Sequence, residues 1–162
     1  MITKKILLLL VAAVSMFAVA CGGKVVVDDE HTFSGDKWQS FEPQRFEFDI
    51  KDADDYYDIY FTAVIDTARY RENELPLAVQ LNGASGERRT FRYDMVVRDR
   101  NGWIGEYKEG LLYSKRCIRR CFSFNGTGRF SLELKQITSR YELQGIHAIE
   151  VYIERAKLDY PN

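Results

Sequence analysis

Three cysteines, two histidines and a run of aspartates are the side chains of this 162-residue chain best able to do chemistry. Cys117 and Cys121 lack a histidine nearby in sequence that would mark either as a thiolate nucleophile, and a Cys-x3-Cys pair without histidine partners is a poor zinc site. In one straight strand their Cα atoms would stand about 13 Å apart at about 3.3 Å per residue, whereas a disulfide tolerates at most about 7 Å. They can bond only if Ile118-Arg119-Arg120 makes a tight turn, a bulge or a helical turn. His147 opens a strand on its apolar face, where a histidine is more often packed or hydrogen-bonded than a base. His31 stands beside a polar leader segment. Asp52, Asp54, Asp55 and Asp58 could offer calcium oxygen ligands. No glycine at the sixth position and no distal glutamate completes an EF-hand, so a solvated turn between strands is the better reading. There is no H-E-x-x-H pair, G-x-S-x-G elbow or phosphate loop. The reading is therefore of a non-enzyme with no catalytic residue, no metal and no cofactor. A hydrolase would need carboxylates converging in a cleft with shifted pKa values.

Cys21 is a different case. Lys4 and Lys5 precede an almost wholly apolar run from Ile6 to Ala20, broken by Ser15. That fits an export signal, whose apolar region is roughly 7–15 residues long and ends in small residues. A membrane span needs about 20 apolar residues, and this run stops at Cys21-Gly22-Gly23-Lys24. Ala18-Val19-Ala20 before a cysteine resembles the bacterial lipobox, with Ala18 where many such boxes carry leucine. Residues 1–20 are read as the cleaved signal and Cys21 as the lipidation site, carrying acyl chains of the palmitate kind. Several such chains, at about 0.8 kcal/mol per buried CH2, hold a domain firmly to a membrane. Secretion with a free Cys21 and a single membrane span are the alternatives.

Without the signal, 21 basic residues face 24 acidic ones, a net charge of −3. No basic stripe of the kind nucleic-acid binding requires is present. Arg116, Arg119 and Arg120, beside Lys115, form the one dense basic patch. It reads as a solvated strand face, or as a contact for an acidic partner or lipid headgroups. Aromatics make up 14% of the chain. Tyr56, Tyr60, Trp103, Tyr107 and Tyr113 are candidates for an exposed platform that stacks on sugars or anchors a protein. Filling of the core and cover for loops are the plainer roles.

These residues need strands to carry them. Residues 21–31, with two glycines and Asp28-Asp29-Glu30, read as a tether, although Val25-Val26-Val27 could add a short edge strand. Beyond it the alternation has period two. Phe46, Phe48 and Ile50 interleave with Glu47, Asp49 and Lys51. Similar patterns run through 57–65, 77–81, 91–98, 111–124, 130–135 and 147–154. Segment 57–65 is apolar on both faces towards its end, which predicts a central strand. Asn101-Gly102 predicts a hairpin with positive φ angles, and Asn125-Gly126-Thr127-Gly128 a second turn. Ser139 to Leu143 could make one helical turn. The whole predicts an all-β, single-domain β-sandwich over 32–158, of about seven to eight mostly antiparallel strands, with a closed barrel as second choice.

With the strands placed, the chain resembles the GldH family of gliding-motility lipoproteins found in Bacteroidetes-type bacteria. Phe33 to Trp38 with Phe46-Glu47-Phe48 is similar to the family's opening. Tyr70 to Leu77 resembles its segment after the long strand, and Asp99-Arg100-Asn101-Gly102-Trp103-Ile104-Gly105 its Gly-Trp-x-Gly turn. Gly128-Arg129-Phe130, Gln136 and Leu143-Gln144-Gly145-Ile146 resemble its last turn and strand. The resemblance runs over about residues 30–155. Asp66 stands in place of an asparagine, Ile137-Thr138 of a Met-Arg pair and Glu150 of a glycine. The resemblance implies a non-enzymatic lipoprotein of the cell envelope, accessory to the gliding or type IX secretion apparatus. It would be held to the membrane by lipid at Cys21 and in contact with other envelope proteins. Trp103, Tyr107, Arg116, Arg119 and Arg120 are the candidate contact residues. A glycan-binding β-sandwich lipoprotein is the alternative from another class. Acidic residues after the cysteine can mark surface export in these bacteria. Asp28 lies seven positions beyond Cys21, which favours the periplasmic side over the cell surface.

Overall fold

The computed structural model describes residues 25–157. The expected signal, Cys21 and position 158 of the expected domain lie outside those residues. Eight strands of seven residues or more build the fold: β1 (Val25–Thr32), β3 (Gln44–Ile50), β4 (Tyr57–Ile65), β5 (Glu74–Asn82), β6 (Arg88–Val96), β10 (Leu111–Phe122), β11 (Gly128–Gln136) and β13 (Ile146–Arg155). Five strands of two or three residues lie between them: β2 (Lys37–Gln39), β7 (Arg98–Asp99), β8 (Gly102–Trp103), β9 (Glu106–Lys108) and β12 (Glu142–Gln144). One sheet has the order β1-β13-β4-β10-β9 and the other β3-β11-β5-β6. All pairings are antiparallel. The expected all-β sandwich is present: of the thirteen strands among the described residues its two sheets hold nine, and β2 with β12 and β7 with β8 form two separate two-stranded ribbons. The five strands of two or three residues are too short to leave an alternation in the sequence.

Periodicity explains the core. In β3, Phe46, Phe48 and Ile50 are buried while Arg45, Glu47 and Asp49 are exposed. β4 lies between β13 and β10 and buries both faces over Phe61–Ile65, as its two-sided apolar pattern predicts. Phe48, Tyr57, Phe124 and Phe130 meet ring to ring, with centroids 5.1–6.1 Å apart.

Three expectations need correction. Residues 25–31, expected in the tether, belong to β1, which pairs with β13 and buries Val27. Asp28, Asp29 and Glu30 are all exposed on this edge strand, so the acidic run hides the strand pattern. Glu142 and Leu143, the end of the helical turn expected over Ser139 to Leu143, pair as a strand with Gln39 and Trp38 instead. The Asn101-Gly102 hairpin forms, with Arg98 opposite Trp103 and Asp99 opposite Gly102. Only Gly102 has positive φ, however (+117°). The Asp99 carboxylate holds the turn by accepting the Asn101 N–H at 2.7 Å.

Register defines two ends of the sandwich. Val25 pairs with Glu154, Glu154 with Asp58 and Phe122 with Tyr57. We call this the near end; its loops are 51–56, 83–87 and 123–127. The far end holds 33–43, 66–73, 97–110 and 137–145.

Candidate functional site

The far end is organised around Asp36. This residue has φ +56°, a conformation uncommon outside glycine and asparagine-like residues. Its carboxylate accepts from His147 Nδ1 at 2.7 Å and from Arg69 Nη1 at 3.0 Å. Its carbonyl accepts the Gly145 N–H at 2.8 Å, and the Gly145 carbonyl in turn accepts the Asp66 N–H at 2.9 Å. Asp66 closes its own turn by accepting Ala68 N–H on Oδ1 and Tyr70 N–H on its carbonyl. Three connections distant in sequence are thus joined at one point. Sequence reading placed His147 on the apolar face of a strand. Its ring is instead half-buried against Asp36, 111 positions away, a pairing no local pattern could reveal.

Tyr70 is buried and donates its hydroxyl to the Glu74 carbonyl at 2.7 Å. Burial, then the nearby Glu72 and Glu74, pushes its phenol pKa far up. Trp103 lies over Tyr70, with ring centroids 6.4 Å apart, and Arg98 covers Trp103 at 5.1 Å. Two glycines make this packing possible. A Cβ on Gly145 would stand 2.4 Å from Tyr70 N, and one on Gly105 2.3 Å from the Tyr113 carbonyl oxygen. Gln136 is wholly buried and its amide is satisfied locally, donating to Arg140 O at 3.2 Å and accepting from Thr138 N–H at 2.9 Å and from the Thr138 hydroxyl at 2.7 Å.

Between residues 68–72 and 140–144 runs a shallow groove of about 430 Å³. Arg140 and Glu72, which both line it, form a 3.1 Å ion pair. The Gln39 amide, then Lys37, holds the carboxyl pKa of Glu142 below the usual carboxylate value, so this groove acid favours its ionised form. Among the described residues no three His, Cys, Asp or Glu side chains converge to hold a metal. Phe41 and Tyr141, 56% and 68% exposed, stand as a tilted pair 5.3 Å apart.

The five aromatics expected as a platform are not brought together. Tyr56 belongs to the near end. Tyr60 meets Tyr152 edge-on beneath Lys115. Tyr113 carries Lys108 over its ring. Tyr107 is exposed and reaches Thr67 at 3.4 Å. The five candidate contact residues separate likewise. Trp103 and Tyr107 occupy the far end. Arg116, Arg119 and Arg120 follow β10 down one side of the sandwich. Arg116 donates to the Val96 carbonyl at 3.2 Å, Arg119 lies over Phe91 at 4.4 Å, and Arg89 reaches back over Phe122 at 5.4 Å.

Cys117 and Cys121 are free thiols. β10 does bulge against β4, between Cys117 and Arg119 and again between Arg119 and Phe122, the kind of irregularity a bond would need. The Cys117 thiol is directed instead to the Arg119 carbonyl at 3.4 Å, and the Cys121 N–H goes to Asp58.

Phe33 to Trp38, Tyr70 to Leu77, Asp99 to Gly105 and Leu143 to Ile146 therefore supply one end of the molecule, although they are scattered along the chain. The family model for GldH lipoproteins matches residues 25–153. The chain belongs to the GldH lipoprotein family. No curated protein matches it. As a GldH lipoprotein it is a lipid-anchored protein of the cell envelope, from a family named for gliding motility. The GldH match starts where β1 starts and ends within β13, so it takes in every strand of both sheets.

Proposed function

We propose that this GldH lipoprotein is a non-catalytic accessory component of the gliding or type IX secretion apparatus. It is anchored through lipid on Cys21, faces the periplasm and contacts other envelope proteins through its far end. One observation carries this reading. The motif residues at that end are consumed in packing and backbone hydrogen bonds, leaving Phe41, Tyr107 and Tyr141 exposed around them. Large aromatic side chains are suited to anchoring protein contacts. The groove acids beside them are held ionised or paired with arginine, which suits a contact surface better than proton transfer. The test is recovery of the lipid-modified protein from native membranes in mild detergent at native expression. Co-purification of envelope proteins, lost on Phe41→Ala with Tyr141→Ala, is the expected result. Recovery of the protein alone would overturn the proposal.

A further inference from the structure

The exported chain reaches the fold almost at once after Cys21. β1 begins at Val25, and four residues span at most about 14 Å at about 3.6 Å each. If Cys21 carries the lipid, as the proposed function holds, the near end cannot stand off from the bilayer. It must lie at the headgroups, with the far end pointing away.

The charges at that end are sorted by side. β6 and β10 together carry seven Lys and Arg residues against one acid, Asp94. At the near end they contribute Arg88, Arg89, Arg119 and Arg120. The acids facing this corner are Glu87, paired with Arg89, and Asp58, which accepts the Cys121 N–H. The other acids of this end lie elsewhere: Asp49 on β3, Asp52, Asp54 and Asp55 in the β3–β4 loop and Glu154 on β13, with Asp49 held by Arg129 at 2.9 Å and Asp55 by Arg155 at 2.8 Å. β1, where the anchor enters, is separated from β10 by β13 and β4. At about 4.8 Å per strand the two corners are about 14 Å apart.

We propose that the near end docks flat on an anionic phospholipid surface, held at one corner by the Cys21 lipid and at the other by Arg88, Arg89, Arg119 and Arg120. Lipid with a basic patch is a stronger attachment than one acyl chain gives by itself, and arginines close to anionic headgroups add attraction that falls off within about 8 Å at physiological salt. Exposed Tyr56 and Val25 occupy the same end, where an aromatic ring at headgroup depth is well placed.

Cys121, exposed beside Arg120, is the probe. Full-length lipid-modified protein carrying Cys117→Ser is placed in vesicles of phosphatidylcholine, with or without phosphatidylglycerol. Alkylation by an uncharged, membrane-impermeant maleimide is then timed. Phosphatidylglycerol should slow Cys121 at least about threefold at low salt. High salt should remove the effect, and so should Arg88→Glu with Arg120→Glu, two side chains that form no ion pair among the described residues. A thiol placed at the far end by Ser139→Cys, in a Cys121→Ser background, should react at one rate in both vesicles. Equal Cys121 rates with and without phosphatidylglycerol overturn the proposal. Slowing by soluble polyaspartate but not by phosphatidylglycerol also overturns it, in favour of an acidic protein partner. The intact mass is read separately: absence of acyl chains on Cys21 overturns the anchoring itself.

Discussion

Gly105 and Gly145 are required by their neighbours as well as by their own backbone. Both have positive φ, and a methyl at either would press into backbone atoms that cannot move aside as a side-chain tip can. Gly110 has φ +85° but open space around it. Gly110→Ala should therefore cost only the left-handed penalty of about 1–2 kcal/mol. Gly105→Ala and Gly145→Ala should add an overpacking cost of about 1–3 kcal/mol, which urea denaturation would resolve. From the sequence, Gly102 is legible as a hairpin glycine and Gly105 as part of the same Gly-Trp-x-Gly turn. The sequence could not distinguish Gly102, which is open, from Gly105, which is pressed against Tyr113, because that difference depends on a strand several residues away. The Asp36, Arg69 and His147 cluster was illegible for the same reason.

Strands were legible where one face is buried and the other wet, as in β3 and β13, and were lost where an edge strand is short or acidic. β1 shows the consequence. As a tether, residues 25–31 would tolerate any polar substitution. As a strand, Val27 is buried, and Val27→Asp should lower stability by about 2–4 kcal/mol while Asp29→Asn has little effect; chemical denaturation of the two variants decides. Glu150 on β13 lies opposite Glu30 on β1. Burial, and then hydrogen bonding and repulsion involving Glu30, raises its carboxyl pKa. The unfolded chain, with an ordinary carboxylate pKa of about 4.3, then ionises before the folded one. Stability from this group is present below that value and is lost as pH rises through the raised folded pKa. Glu150→Gln should accordingly raise the melting temperature at pH 7, with the gain disappearing on acidification below about pH 4. A variant less stable than the parent at pH 7 would refute this. Glu150 also stands where the family resemblance expects glycine, so this carboxylate is a feature of this chain rather than of the resemblance.

For the molecule as a whole, polarity follows from two features of different origin: a proposed lipid four residues ahead of β1, and four of the family motifs gathered at the opposite end, with Phe46-Glu47-Phe48 and Gly128-Arg129-Phe130 lying outside it. Neither end was visible in sequence, since strands running up and down interleave near-end and far-end residues along the whole chain. Their separation makes a spatial prediction about partners. A photo-crosslinking amino acid in place of Tyr141 or Tyr107, both exposed at the far end, should capture envelope proteins in living cells. The same group in place of Tyr56, 42% exposed at the near end, should capture lipid and little protein. A strand is about 3.3 Å long per residue, so the nine residues of β4 hold these positions roughly 30 Å apart, well beyond the reach of a crosslinking side chain. Protein adducts at Tyr56 with none at the far end would reverse the assigned polarity. Adducts at both ends would mean that partners enclose the domain, and would confine the bilayer contact to the lipid alone.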